Sequence, residues 1–262
     1  MDFDSSKKKV TMFNIDTEHD LSSFVNTSLV DVVADKIRNN IYTGKHEAGK
    51  KLIVRELSEE FGVSHTPVKD ALNRLIAEGY VEAPPRRSMV VRTFTNSDLI
   101  ESLQIRLMCE IFCANEVIEA ARVYPQMVEE MKEILQIMRK LIADKENLVY
   151  QDWVKNETRF HRCYMNFCGN EKLYEMYKGL DTNKLTYFTY LSSSHTPLKY
   201  STLESNLKEH DEITAAIEAL DTQRLINAVI RHLSRACEDY ATDEASRKKI
   251  TQLERMIEPY KT

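Results

Sequence analysis

Four side chains able to hold a metal ion recur at informative spacings in the second half of this 262-residue chain. Glu157 and His161 are four residues apart, so on a helix both point one way, with Cβ atoms about 6 Å apart. His210 and His232 flank a turn expected at Leu220-Asp221-Thr222. His210 precedes Leu220 by ten residues and His232 follows Asp221 by eleven. On two antiparallel helices both then lie about 15 Å from the turn, at one level. One carboxylate and three imidazoles suit a divalent transition metal such as zinc, nickel or manganese, with positions left open for water or an anion. The same spacings also arise when three helix histidines have nothing to do with one another.

A second pair stands nearby in chemistry. Thr95-Asn96-Ser97-Asp98 reads as a capping box opening a long helix. Its inward stripe is expected to run Leu99, Leu103, Arg106, Glu110, Cys113, Ala114, Val117 and Ala121. Arg106 and Glu110 thus fill two slots of an apolar stripe. Such a pair is ordinarily a weak surface bridge, but a buried Arg needs a carboxylate or an anionic ligand.

The elements that must position these residues follow from composition. Only 6 Gly and 6 Pro occur, and seven of these twelve lie between residues 44 and 85. The rest of the chain has little to interrupt helices. Further helical stretches are expected near 125–145, 149–168, 170–190, 203–219 and 222–242. The fold class is mainly α: an N-terminal winged helix-turn-helix followed by an all-α antiparallel helical bundle. We expect a flexible arm over 1–25, a winged helix-turn-helix domain over 26–94, a helical domain over 95–245, and a tail over 246–262. The overall charge is −5, yet residues 26–93 carry +2 and residues 94–262 carry −5. Net charge alone therefore hides a basic-leaning domain. The N-terminus MDFDSSKKKV has no signal-peptide apolar region, and no apolar run reaches the roughly 18 residues of a membrane span. Five cysteines without a C-x-x-C motif fit core thiols in a cytoplasmic protein. His19, His46 and His195 have no partner that spacing identifies.

The N-terminal part has the spacing of a nucleic-acid reader. Leu29, Val33, Ile37 and Ile41 form one face of a first helix. Residues 54–61 form a short second helix ended by Gly62. Ser64 then caps a third, with Pro67 in its first turn, where a missing N–H costs little. Val68, Ala71, Leu72, Leu75 and Ile76 make its apolar stripe. Two β-like runs, Tyr80–Ala83 and Met89–Arg92, flank Pro84-Pro85-Arg86-Arg87-Ser88, a hairpin whose arginines would reach phosphates. A major groove admits one helix, read by its N-terminal residues. The candidate DNA-contacting residues are Arg55, Ser64, His65, Thr66, Lys69, Asn73, Arg86 and Arg87.

Two stretches then point to a known family. LSEEFGVSHTPVKDALNRLIAEGYVEA resembles the winged-helix domain of GntR-type bacterial transcription regulators, and IRNNIYTGKHEAGKKL resembles that family's approach to it. The segments NETRFHRCYMNFCGNEKL, KEHDEITAAIEALD and VIRHL resemble the FCD effector domain of FadR-type members. The likeness covers about residues 28–242. It implies a homodimer on a palindromic double-stranded operator, a metal held by Glu157, His161, His210 and His232, and a small carboxylate effector bound at Arg106 and Glu110. Glu157 stands where the family pattern has Asp. His65 and Lys69 stand where Arg is usual, and Ser88 where the wing has Gly. A metalloenzyme on the helical bundle and a constitutive dimeric DNA-binding protein without a sensor are the two rival readings.

Overall fold

In the computed structural model, residues 28–42, 44–85, 88–93, 95–180 and 200–260 are described. The expected arm, the wing arginines Arg86 and Arg87, and His19 and His195 lie outside them. The chain divides into two compact units. One comprises residues up to Ile41 with Lys51–Val91, and the other comprises Tyr42–Lys50 with Arg92 onward. The second unit thus takes in Tyr42–Lys50, which the sequence reading assigned to the DNA-binding domain. Eleven α-helices and a three-stranded sheet are present among the described residues.

The first unit is built on helices α1 (Leu29–Tyr42), α2 (Val54–Phe61) and α3 (His65–Ala77) and strands β1 (Lys51–Leu52), β2 (Val81–Glu82) and β3 (Met89–Val91). The expected apolar stripes close its core: Val33, Ile37 and Ile41 of α1 and Val68, Ala71, Leu72 and Leu75 of α3 are buried. Gly62 ends α2 in the left-handed region at φ 67°, donating its N–H to Ser58. Glycine meets no Cβ clash there, so the chain can turn tightly between the two helices. Ser64 occupies the N-cap position of α3, but its side chain makes no capping bond. The strands pair antiparallel in the order β1-β3-β2, with Lys51 opposite Val90 and Val81 opposite Val91. Strand β1 was not anticipated, because two residues carry no periodicity.

The second unit is a helical bundle. It runs α4 (Asn96–Phe112), α5 (Ala114–Val123), α6 (Gln126–Ala143), α7 (Tyr150–Met165), α8 (Glu171–Gly179), α9 (Tyr200–Glu218), α10 (Thr222–Tyr240) and α11 (Glu244–Ile257). The capping box at α4 forms as expected: Thr95 accepts from the Asp98 N–H and the Asp98 carboxylate accepts from the Thr95 N–H. The single long helix expected through Ala121 is instead two, broken at Cys113. The break is mild, since Cys113 still donates to Cys109 and accepts from Val117. Helix α4 packs most extensively on α10, and α9 also packs on α10. The turn between α9 and α10 comes where expected. Leu220 adopts φ 56°, and the Asp221 carboxylate caps the Arg224 N–H at 2.9 Å.

Residues 246–262, expected as a tail, include most of a helix. Asp243 and Ser246 form a capping box for α11, and Ser246, Leu253 and Ile257 are buried. Helix α11 packs on α4 and α10, and the Gln104 side-chain amide donates to the Lys249 carbonyl at 2.8 Å. Its charged residues conceal an apolar face only two side chains deep, which is why periodicity missed it.

Candidate functional site

Helices α4, α7, α8, α9 and α10 converge on one buried polar centre. Glu157 and His161 come from α7, His210 from α9 and His232 from α10. Each offers one ligand atom, and the four atoms lie within 4.8 Å of one another. The Glu157 carboxylate sits among the three imidazoles, at 3.5 Å from His161 Nε2, 3.2 Å from His210 Nε2 and 3.5 Å from His232 Nε2. The Nε2 atoms of His161 and His210 are 3.2 Å apart. The histidines are almost fully buried.

Protonation follows from this crowding. Burial works against ionisation of Glu157, but attraction to His210 and the close approach of the other two imidazoles outweigh it and hold the carboxyl well below its usual range. Burial pushes the His210 imidazole down to about 4, against the pull of Glu157. An ionised carboxylate and a neutral imidazole are the forms that bind a divalent cation. Buried polar atoms ordinarily find partners. Here Glu157 Oε2 and His232 Nε2 are buried with no hydrogen-bond partner among the described residues. They face the same small space, so the donor set fits a bound metal.

Arg106 and Glu110 project from α4 into the same centre. Arg106 Nε donates to Glu110 at 2.9 Å, and Arg106 Nη2 lies 3.7 Å from Glu157 Oε1. That Nη2 is buried without a hydrogen-bond partner among the described residues. Glu110 is differently placed. It accepts from Arg106, from the Tyr177 hydroxyl at 2.6 Å and from the Tyr164 hydroxyl, and His161 Nδ1 lies 3.1 Å from it. Burial opposes its ionisation, yet His161 and Arg106 together with these hydrogen bonds keep its carboxyl far below the usual range. Burial and the neighbouring Glu110 raise both phenols, so each keeps the proton it donates. Arg106 therefore has an edge to spare, whereas every Glu110 oxygen is engaged.

Sequence reasoning missed four members of this centre: Tyr164, Tyr177, Glu209 and Arg235. Tyr164 had a signal, being three residues after His161 on the same helix. Glu209 stands beside His210 in a quoted motif. Arg235 had the same signal as Tyr164, three residues after His232 on one helix, whereas Tyr177 reaches the centre only through tertiary packing. His46, for which spacing identified no partner, is buried with its Nδ1 2.9 Å from the Lys50 ammonium. The five cysteines are free and buried.

In the first unit, Arg55, Ser64, His65, Thr66, Lys69 and Asn73 are all exposed. The last five occupy the start and outer face of α3, opposite its buried stripe. Four of them lie within its first two turns or just before it. A helix N-terminus with free N–H groups and positive dipole attracts phosphate, and Ser64 leaves its hydroxyl uncommitted to capping.

Comparison with known proteins agrees with this division of labour. Residues 29–91 match the family described as bacterial regulatory proteins, gntR family, and residues 101–235 match the FCD domain. The chain is 26% identical over 208 residues to a probable D-xylose utilization operon transcriptional repressor of Paenarthrobacter nicotinovorans, covering 79% of this chain and 87% of that one. It is 24% identical over 198 residues to the HTH-type transcriptional repressor GlaR of Escherichia coli, covering 75% and 89%. Among solved structures, Escherichia coli McbR/YncC superposes with a TM-score of 0.63 at 21% identity, covering 82% of this chain and 97% of that one.

Proposed function

Since the chain belongs to the gntR family of bacterial regulatory proteins and carries an FCD domain, we propose that its DNA affinity is set by a small carboxylate bound beside a metal in the helical unit. The protein is a transcriptional regulator and not an enzyme, as are its relatives. No helix among the described residues is long and apolar enough to cross a membrane. The finer reading is a cytoplasmic homodimer of the FadR subfamily on a palindromic operator, each protomer placing one α3 in a major groove. In that reading Arg55, Ser64, His65, Thr66, Lys69 and Asn73 make the contacts, with Arg86 and Arg87 of the wing.

The observation that carries the sensor reading is the buried cluster itself. Glu157, His161, His210 and His232 would hold a zinc, nickel or manganese ion, which supplies a Lewis-acidic seat for one carboxylate oxygen. This chain supplies the rest. Arg106 turns its unpaired Nη2 toward the cluster and offers it to the carboxylate. The three histidines are buried, and in a low-dielectric site each charge contact is stronger than at the surface. Relatives are named as repressors of gluconate and D-xylose operons, so sugar acids are the first carboxylates to test.

Regulation needs two arrangements of the protein that differ in affinity for DNA, and an effector that prefers one of them by about 1–3 kcal/mol. Native mass spectrometry of the purified full chain tests the reading directly. It predicts a dimer carrying one metal per chain. A metal-free dimer whose operator affinity ignores both added metal and carboxylates would instead be a constitutive binder.

A further inference from the structure

Two of the three histidines share an arrangement that the third lacks. His232 Nδ1 lies 2.8 Å from Glu209 Oε2, and Glu209 is in turn held by Arg235 through Nε at 2.5 Å and Nη2 at 2.7 Å. His161 Nδ1 lies 2.7 Å from the Tyr164 hydroxyl, which itself donates to Glu110, and 3.1 Å from Glu110 Oε1; Glu110 is held by Arg106 through Nε at 2.9 Å. Each is a chain of arginine, glutamate and histidine, and in each the glutamate is drawn from a helix other than that of its histidine. His210 has no counterpart: its Nδ1 is buried without a partner among the described residues, and its ring rests on Phe160 at 4.4 Å between centroids.

We propose that Glu110 and Glu209 are positioning residues of the metal centre, Glu209 accepting a hydrogen bond from the Nδ1–H of His232 and Glu110 sharing with the Tyr164 hydroxyl that of His161, so that His161 and His232 present Nε2 lone pairs to the metal. The neutral imidazole has one donor and one acceptor nitrogen, so fixing the proton on Nδ1 decides which atom can ligate. A carboxylate on the far nitrogen also raises ligand basicity and locks the ring's rotation. The anchoring arginine completes the device, because a buried carboxylate without a cation would itself be driven to protonate. On the Glu110 side, Tyr164 and Tyr177 add two hydroxyl donors that occupy the remaining lone pairs. This relay therefore ties α4, α7 and α8 together. The Glu209 relay ties α9 to α10 and leads outward through Arg235 to Asp239, at 2.6 Å. His210 is oriented by packing, with the Thr214 hydroxyl bonding only its carbonyl.

The inference rests on the metal reading above, and the test separates the two. Full-length protein stripped with a chelator is titrated with zinc against a chromophoric competitor, and with cobalt(II) while its visible bands are recorded. The variants are Glu110→Gln and Glu209→Gln, with Met138→Ala as a packing control on α6. Each Gln variant should bind zinc about 10- to 100-fold more weakly, with altered cobalt bands and one site per chain retained. Met138→Ala should melt earlier yet bind zinc as tightly as the parent, because a merely structural loss does not alter ligand geometry. If Glu110→Gln fails to fold, the more peripheral Glu209→Gln decides the matter. Parent-like zinc affinity and cobalt bands in a folded Gln variant overturn the relays while leaving the metal site standing. A parent that binds neither ion overturns both.

Discussion

Arg106 Nη2 stands 3.7 Å from Glu157 Oε1, buried and with no hydrogen bond of its own among the described residues. The relationship joins the two halves of the proposed sensor. A guanidinium committed to Glu110 by one edge still offers another toward the carboxylate of the metal cluster. An incoming carboxylate would find that edge already charged and desolvated.

Replacing Arg106 should therefore be expensive in two ways. Arg106→Ala strips the cation from Glu110 and leaves Glu157 with only imidazole neighbours, so it should destabilise the protein by about 3–5 kcal/mol, the range for breaking a buried pair. Guanidinium unfolding monitored by circular dichroism measures this. A loss below about 1 kcal/mol would mean that the pair behaves as a surface bridge.

His210 is the ligand that packing alone holds, and it is also the ligand whose loss leaves both relays intact. His210→Ala should abolish stoichiometric zinc while the dimer persists in native mass spectrometry. Full zinc occupancy in this variant would remove His210 from the ligand set.

In the DNA-binding unit, Lys69 is exposed on the outer face of α3. Lys69→Ala should weaken operator binding with little change in melting temperature. If it touches phosphate, the slope of log affinity against log salt should fall by about 1. Unchanged affinity and slope would take Lys69 out of the interface.

Acid should loosen the first unit through Glu78. Burial raises this carboxyl, but hydrogen bonds from Arg38 and Arg74 and their charges win, so the folded state holds it below its ordinary value of 4.5. Arg38 Nη2 reaches it at 2.7 Å from α1 and Arg74 Nε at 2.9 Å from α3. A group with a depressed folded pKa contributes stability above its unfolded value and loses it as pH falls through the folded one. Glu78→Gln should cost about 1 kcal/mol at neutral pH. Thermal melts from pH 7 downward should show the difference between parent and variant shrinking below about pH 4.5. A difference that stays constant into acid would assign the effect to shape and not to charge.

Much of this centre was legible before any coordinates. Glu157 and His161 are neighbours by helical arithmetic, and His210 and His232 meet because each lies about three turns from the Leu220-Asp221 corner. The apolar stripes of α1 and α3, and glycine at the α2–α3 turn, are likewise properties of local spacing. What sequence did not reveal is tertiary. That Glu110 also spends its lone pairs on Tyr164 and Tyr177 depends on α7 and α8 reaching α4, and no periodicity within α4 encodes it. The break at Cys113 carries no glycine or proline to announce it. Helix α11 did have a capping pair in Asp243 and Ser246, but its few apolar positions were too sparse to read as a buried face.

The central claim is that metal and carboxylate jointly set DNA affinity. Operator binding by the chelator-stripped full chain, measured by fluorescence anisotropy with and without zinc and across a series of sugar acids beginning with gluconate, tests it most directly. The account predicts that at least one acid shifts operator affinity by about 5- to 150-fold with zinc present, and that the shift disappears without metal and in Arg106→Ala protein that remains folded. Operator affinity that is the same with and without zinc, at every acid concentration, would contradict it.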